Sequence, residues 1–161
     1  MKVKPILLVL IALLISVNIS AQEVDQRIER QLNDMQMQFT TTTSGNFKLL
    51  FDMENGRSQI VFINSKTKMH EDAEVREISS PAAFISTADQ LSHEKLWKLL
   101  AANFESVLGA WQLEPATDGW GLHFTVKVPA MMPEKRLIMY MVHVAKVADA
   151  MEKEFSAVDT F

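Results

Sequence analysis

An α+β fold, in which helices pack on an antiparallel sheet, is the fold class that this sequence predicts. Three observations support it. Apolar residues recur at helical spacing in three separated segments, an Asn-Gly pair divides two strand-like runs, and apolar and polar residues alternate over residues 122–128. Taken in chain order, these features predict the element order α-β-β-β-α-β-β-α.

The start of the chain has the layout of a secretory signal peptide. Lys2 and Lys4 precede an apolar run over residues 6–17, and a site of small residues ends at Ala21. The run is shorter than the roughly 20 apolar residues that a membrane-spanning helix needs. We therefore expect a signal peptide over residues 1–21, a periplasmic or secreted protein, and no permanent membrane span after cleavage. Retention of the run as an anchor is the alternative.

The remaining residues, 22–161, are predicted to form a single domain, long enough to enclose a hydrophobic core. Without Lys2 and Lys4, they carry 14 basic and 20 acidic residues, a net charge of −6. An acidic surface repels phosphate backbones, so no nucleic-acid partner is expected. Cysteine is absent, which excludes thiol chemistry and Cys-ligated metals.

The first half of this domain is predicted to hold one helix and three strands. A helix is expected over residues 23–39, because Val24, Ile28, Leu32, Met35 and Phe39 form one apolar stripe. Residues 40–46 are polar and predict a linker. Residues 47–53 and 58–64 predict the strands of a hairpin, since Asn55-Gly56 accepts the positive φ angles of a type I′ turn.

The apolar stretch 60–63 indicates that the second of these strands lies inside the sheet rather than at its edge. Residues 66–72 predict a turn region, and residues 73–79 predict the third strand. In this third strand, Glu74, Arg76 and Glu77 indicate a face in water.

The second half predicts a helix, a hairpin and a final helix. Ser92 is a cap for a helix that reaches Phe104, with a predicted core stripe of Leu96, Leu99, Leu100 and Phe104. Residues 110–113 then pair with the half-buried strand 122–128, and the turn lies within 115–119. The last helix begins near Pro133, and its core stripe has the clearest periodicity in the chain: Leu137, Met141, Val144, Ala148, Met151 and Phe155.

The chain contains the local stretches GRSQIVFI at 56–63, VREISS at 75–80, LLAANF at 99–104, GAWQL at 109–113 and ADAMEKEF at 148–155. Together with the element order, these stretches resemble the class I type III secretion chaperone fold, especially its YbjN-type branch. The resemblance spans residues 23–161. It implies a small acidic α+β domain, often dimeric, that binds another polypeptide. The signal peptide departs from this pattern, because secretion chaperones are cytosolic.

The sequence contains none of the common catalytic or metal-binding motifs. No nucleophile elbow, phosphate-binding loop or zinc-type histidine pair occurs, so we expect no enzyme, no catalytic residues, no cofactor and no metal site. His70-Glu71-Asp72 is interpreted as a solvated turn. Met35-x-Met37 and Met139-x-Met141-x-His143 resemble copper(I) ligand sets. On a helix, however, residues i and i+2 diverge by about 200°.

Four residues are the candidate partner-binding set: Ile138, Met139, Val142 and Trp120. The first three lie off the core stripe of the last helix, so that either the sheet wraps the helix or a second chain covers it. Trp111 is predicted to face the core, and Trp120 to cap the core edge beside the turn. The predicted function is an exported, non-enzymatic protein-binding or chaperone-like module whose partner is another polypeptide or a second copy. An exported copper-handling protein is the alternative.

Overall fold

The computed structural model describes residues 24–156 and 158–161, and these residues form both helices and strands. Over these residues the elements are α1 (Gln26–Asp34), β1 (Thr40–Thr41), β2 (Phe47–Asp52), β3 (Ser58–Ile63), β4 (Lys68–His70), β5 (Ala73–Ile85), α2 (His93–Glu105), β6 (Ala110–Ala116), β7 (Gly119–Pro129) and α3 (Glu134–Phe155). The α+β fold class is confirmed. The signal peptide expected over residues 1–21 lies outside the described residues.

One antiparallel sheet joins the strands in the order β1-β2-β3-β5-β7-β6, and β4 pairs with β5 beyond the end of β3. The short strands β1 and β4 lie in segments that were predicted as a linker and a turn. Thr40 and Thr41 pair with β2, whereas β4 forms a tight hairpin with β5 because Glu71 adopts a φ of 54°. Both strands are exposed, so apolar alternation could not indicate them.

The Asn-Gly hairpin prediction is confirmed. Asn55 and Gly56 have φ angles of 61° and 73°, and β2 pairs with β3 along its whole length. β3 lies between β2 and β5, which agrees with its apolar character on both faces.

The core lies on one face of the sheet, under α1 and α3. Ile63, Ile78 and Val126 are neighbours across β3, β5 and β7, and all three are fully buried. The predicted stripe of α3 packs against this face; only its last member, Phe155, is partly exposed. The first helix is shorter than predicted, because Gln36 adopts a φ of 56° and turns the chain away after Asp34.

The burial of Arg76 contradicts the prediction that its charge lies on a face of β5 in water. Its side chain is fully buried, beneath the start of α1. The guanidinium donates to the carbonyls of Asn64, Ser65 and Ala130 and forms an ion pair with Asp25. A buried charge is tolerated only when it is paired and hydrogen-bonded, and here both conditions are met.

Asp25 also caps α1, since its carboxylate accepts from the backbone N–H of Arg27 at 2.9 Å. Burial alone would raise the pKa of Asp25, but hydrogen bonds from Arg27 and Arg76 outweigh it and hold the pKa well below its usual range. Arg27 extends the cluster to β5 through Glu74, 2.7 Å away. That hydrogen bond, helped by one from Thr67, lowers the pKa of Glu74 to about 2.

A second ion cluster fixes α3 to the start of β3. Arg57 lies 2.6 Å from a carboxylate oxygen of Asp149 and 2.8 Å from one of Glu152. Asp159 approaches the same guanidinium at 3.2 Å and accepts from the backbone N–H of Ser58. The chain after α3 is thereby held against the β3 end of the sheet.

Replacement of Arg76 by alanine is expected to lower the free energy of unfolding by about 3–5 kcal/mol. The change leaves three carbonyl groups and a buried carboxylate without this partner. Urea unfolding followed by circular dichroism measures the effect. Arg30→Ala is the control and should cost no more than about 0.5 kcal/mol, because Arg30 is exposed and, among the described residues, its side chain bonds only the Gln26 carbonyl. Equal losses in the two variants would contradict the structural role of Arg76.

Candidate protein-binding surface

The helix α2 is attached to the sheet by few side chains. Ser92 caps it, as predicted, by accepting from the backbone N–H of Lys95 at 3.3 Å. Leu99 is its only fully buried residue. Asn103 holds the edge strand β6: its Oδ1 accepts from the N–H of Trp111 at 2.6 Å, and its Nδ2 donates to the Trp111 carbonyl at 3.4 Å.

Contacts with α3 set the orientation of α2. Lys98 forms an ion pair with Glu154, and the ammonium of Lys95 lies 4.4 Å from the centre of the Phe155 ring. Both lysines lie on the side of α2 toward the C-terminal end of α3. The opposite side of α2 is therefore free to face solvent.

A stripe of large apolar side chains occupies the outward side of α2. Trp97 is 75% exposed, Leu100 is 65% exposed, and Phe104 is 93% exposed. Val107, just after the helix, is fully exposed. Spacings of three and four residues place Trp97, Leu100 and Phe104 along one line of the helix, and Val107 follows just beyond its end. We call these four residues the α2 stripe.

This finding overturns most of the predicted core stripe. Of Leu96, Leu99, Leu100 and Phe104, only Leu99 is buried, and Leu96 is partly exposed. The physical reason is the position of α2 at the edge of the sheet. It packs beside β6, the last strand, so no further strand lies beneath its outward side.

An apolar cleft of about 210 Å³ continues the stripe between α2 and β6. Leu96, Leu100 and Leu113 are exposed along it, and Trp111 closes its floor. Trp111 is buried, as predicted, and packs edge-to-face on Phe124 with ring centres 5.2 Å apart. β6 pairs with β7 alone in the described sheet, so its other edge has no neighbouring strand there.

Gly109 fixes the path between α2 and β6. Its φ is 90°, and a side chain there would come within 2.8 Å of the Phe124 ring. Only glycine accepts both constraints at no cost. The tight return keeps Val107 and Leu108 in a short loop, with the Leu108 carbonyl 3.0 Å from the His143 ring nitrogen.

The structure does not bring the four predicted binding residues together. Ile138 and Met139 are exposed by 40% and 50%, and Val142 is half-buried, all in the first turns of α3. Trp120 is 47% exposed and pairs with Ile85. Ile85 lines the same cavity as Phe155, near the other end of α3. Thirteen residues of α3, a rise of about 20 Å, separate Val142 from Phe155, so Trp120 lies toward the opposite end of this helix from the other three residues.

Histidines and methionines are dispersed. His70 and His93 are exposed, His143 bonds the Leu108 carbonyl, and His123 lies on the sheet face opposite the core. Burial lowers the pKa of His123 despite the nearby charge of Glu114. Met141 is fully buried whereas Met139 is half exposed, so their thioethers point apart. Residues 24–156 and 158–161 contain no group of three or more His, Asp or Glu residues placed to hold a metal.

Trp97 and Val107 are the surface residues that the sequence interpretation missed. The available signal was a second apolar line on the same helix: Trp97, Leu100 and Phe104 fit helical spacing as well as the line through Leu96 and Leu99. A helix with two apolar lines has more apolar surface than one sheet edge can cover. Within the described part of the chain, no helix combines the length and apolar character needed to cross a membrane.

The contribution of α3 to binding stays a prediction, with a direct test. Val144→Asp should unfold the domain, because Val144 is fully buried and an unpaired charge there costs several kcal/mol. Val142→Asp should leave the domain folded, and should disrupt association if the α3 residues form an interface. Circular dichroism and light scattering on both variants distinguish these effects. Equal unfolding by both changes would show that Val142 belongs to the core.

Comparison with known proteins supports the fold. No protein-family model matches the chain, and no curated protein matches it in sequence. A crystal structure of E. coli YbjN, described as a candidate transcription regulator, superposes with a TM-score of 0.51 and 12% sequence identity. The match covers 86% of this chain and 97% of YbjN. The protein therefore has a YbjN-like fold, in agreement with the resemblance seen in its sequence.

Proposed function

We propose that the protein is an exported, non-enzymatic module that binds an apolar segment of another polypeptide through the α2 stripe and the adjoining cleft. The observation that carries this proposal is the exposure of Trp97, Leu100 and Phe104 in one line on α2, with exposed Val107 just after the helix. Contiguous exposed apolar patches on soluble domains commonly mark protein-interaction sites.

The chemistry of the stripe favours a helix or an extended apolar segment as its occupant. Tryptophan and phenylalanine provide large contact areas, and residues of this kind dominate the energy of protein interfaces. The cleft beside Leu113 accepts side chains from the same segment, and the edge of β6 offers backbone groups to an extended one. Asn103 already bonds both backbone groups of Trp111, and Pro115 has no N–H to donate, so such pairing is limited to the part of β6 between them.

Other properties fit this class. The fold is shared with YbjN, which is described as a candidate regulator, and regulators act by binding other macromolecules. The net charge of the chain is −4, which disfavours nucleic acid. The copper alternative draws no support from Met139 and Met141, whose side chains have opposite environments. We propose that the expected homodimer, if it forms, uses the same α2 stripe, with a second copy of the chain as the occupant.

Trp97→Glu and Phe104→Glu should abolish association while the domain stays folded. Both side chains are mostly exposed, so a charge there adds little strain but cannot be buried cheaply against a partner. Light scattering reports whether wild-type protein is a dimer. A photoreactive residue at position 104, introduced in the producing cells, reports contacts with other polypeptides.

Leu50→Glu and a photoreactive residue at position 50 are the matched controls. Leu50 is 65% exposed, like Leu100, but lies on β2, far from α2 in the sheet order. Dimer loss in the Trp97 and Phe104 variants alone identifies a second copy as the occupant. Crosslinks at position 104 to another polypeptide, absent at position 50, identify a separate partner. Monomeric protein with equal crosslinking at the two positions would overturn the proposal.

Export is proposed from the layout of residues 1–21, with cleavage between Ala21 and Gln22. Expression of the full chain in a bacterial host should give mature protein outside the cytoplasm. Intact-mass analysis should show the chain starting at Gln22. A mass that retains residues 1–21, with the protein in the membrane fraction, would indicate an anchor instead.

A further inference from the structure

A groove of about 450 Å³ lies on the sheet face opposite the core, beneath the β4–β5 hairpin. Val75 lies in its floor, and Met69, which is 65% exposed, forms part of its wall. Neither apolar side chain belongs to the buried core. The volume lies within the range of about 300–1,000 Å³ that is typical of small-molecule sites.

The groove is lined mainly by positive charges, whereas the whole chain has a net negative charge. Lys66, Lys68 and Lys127 line it, and Glu77 is the one carboxylate among its described lining residues. Glu77 is shared between two lysines, at 3.2 Å from Lys68 and 3.6 Å from Lys127. Lys66 is exposed and forms no ion pair with any described residue.

The strand register explains how these residues meet. Lys127 lies directly opposite Glu77 across β7 and β5, and Lys68 lies opposite Val75 across β4 and β5. Alternation along the strands therefore places two ammonium groups around one apolar floor. Lysine stems are themselves apolar, so the groove combines apolar walls with cationic ends.

We propose that this groove binds a small anionic amphiphile, a molecule with one carboxylate or phosphate head and an alkyl or aryl tail. The lysines attract the head, and the floor at Val75, together with the apolar stems of the lysines, receives the tail. The choice rests on charge complementarity, because the groove carries a local excess of positive charge on an acidic chain. This site is separate from the α2 stripe, and it goes beyond the function proposed above.

Titration calorimetry with decanoate and with decyl phosphate, below their micellar concentrations, tests the proposal on the purified mature protein. Both should bind, and affinity should fall with added salt, because the attraction of the head is electrostatic. Decanol, which has the tail without the charge, should bind at least about tenfold more weakly. Comparison of the two heads distinguishes carboxylate from phosphate as the preferred group.

Lys127→Glu and Lys66→Gln should each weaken decanoate binding, Lys127→Glu by about tenfold because it replaces attraction with repulsion. Lys66→Gln removes a side chain without a described ion pair and should leave the fold intact. Lys135→Glu, an exposed lysine of α3, is the matched control and should change nothing. Trp97→Glu should also leave binding unchanged, which separates this site from the α2 stripe.

Three outcomes would overturn the proposal. They are no binding of either probe, equal binding of decanol, and loss of binding in Trp97→Glu but not in Lys127→Glu. The last result would place the amphiphile on the α2 stripe.

Discussion

The buried guanidinium of Arg76 connects three parts of the chain that the sheet alone does not hold. It pairs with Asp25 at the start of α1 and donates to the carbonyls of Asn64 and Ser65 in the β3–β4 connection and of Ala130 after β7. A buried charge is costly unless it is paired and hydrogen-bonded, so these contacts favour one arrangement of the three segments. The position of α1 over the core follows from this requirement.

Two helices with similar apolar spacing end in different environments. α3 crosses β3, β5 and β7, and its stripe from Leu137 to Met151 is buried. α2 lies beside the edge strand β6, where Leu99 alone is fully buried and Asn103 provides the polar attachment. The apolar residues that remain on α2 are then available for contact with a second chain. The position of a helix relative to the sheet, more than its periodicity, decides which of its apolar residues stay exposed.

The two proposed sites differ in the physics of recognition. The α2 stripe is apolar, so binding there depends on area removed from water and varies little with salt. The groove beside Lys66 and Lys127 gains its attraction from charge, which salt screens. The stripe suits a polypeptide segment with several apolar side chains, whereas the groove is large enough only for a small molecule. These differences make the sites experimentally separable.

The sequence by itself determined the fold class, the Asn55-Gly56 hairpin, the alternation of β7 and the core stripe of α3, because each rests on local periodicity or turn chemistry. It did not determine the burial of Arg76, the short strands β1 and β4, or the exposure of the α2 stripe. Those features depend on which segments meet: a charged residue is buried where distant carbonyls and a carboxylate converge, and an apolar stripe stays exposed where the sheet ends.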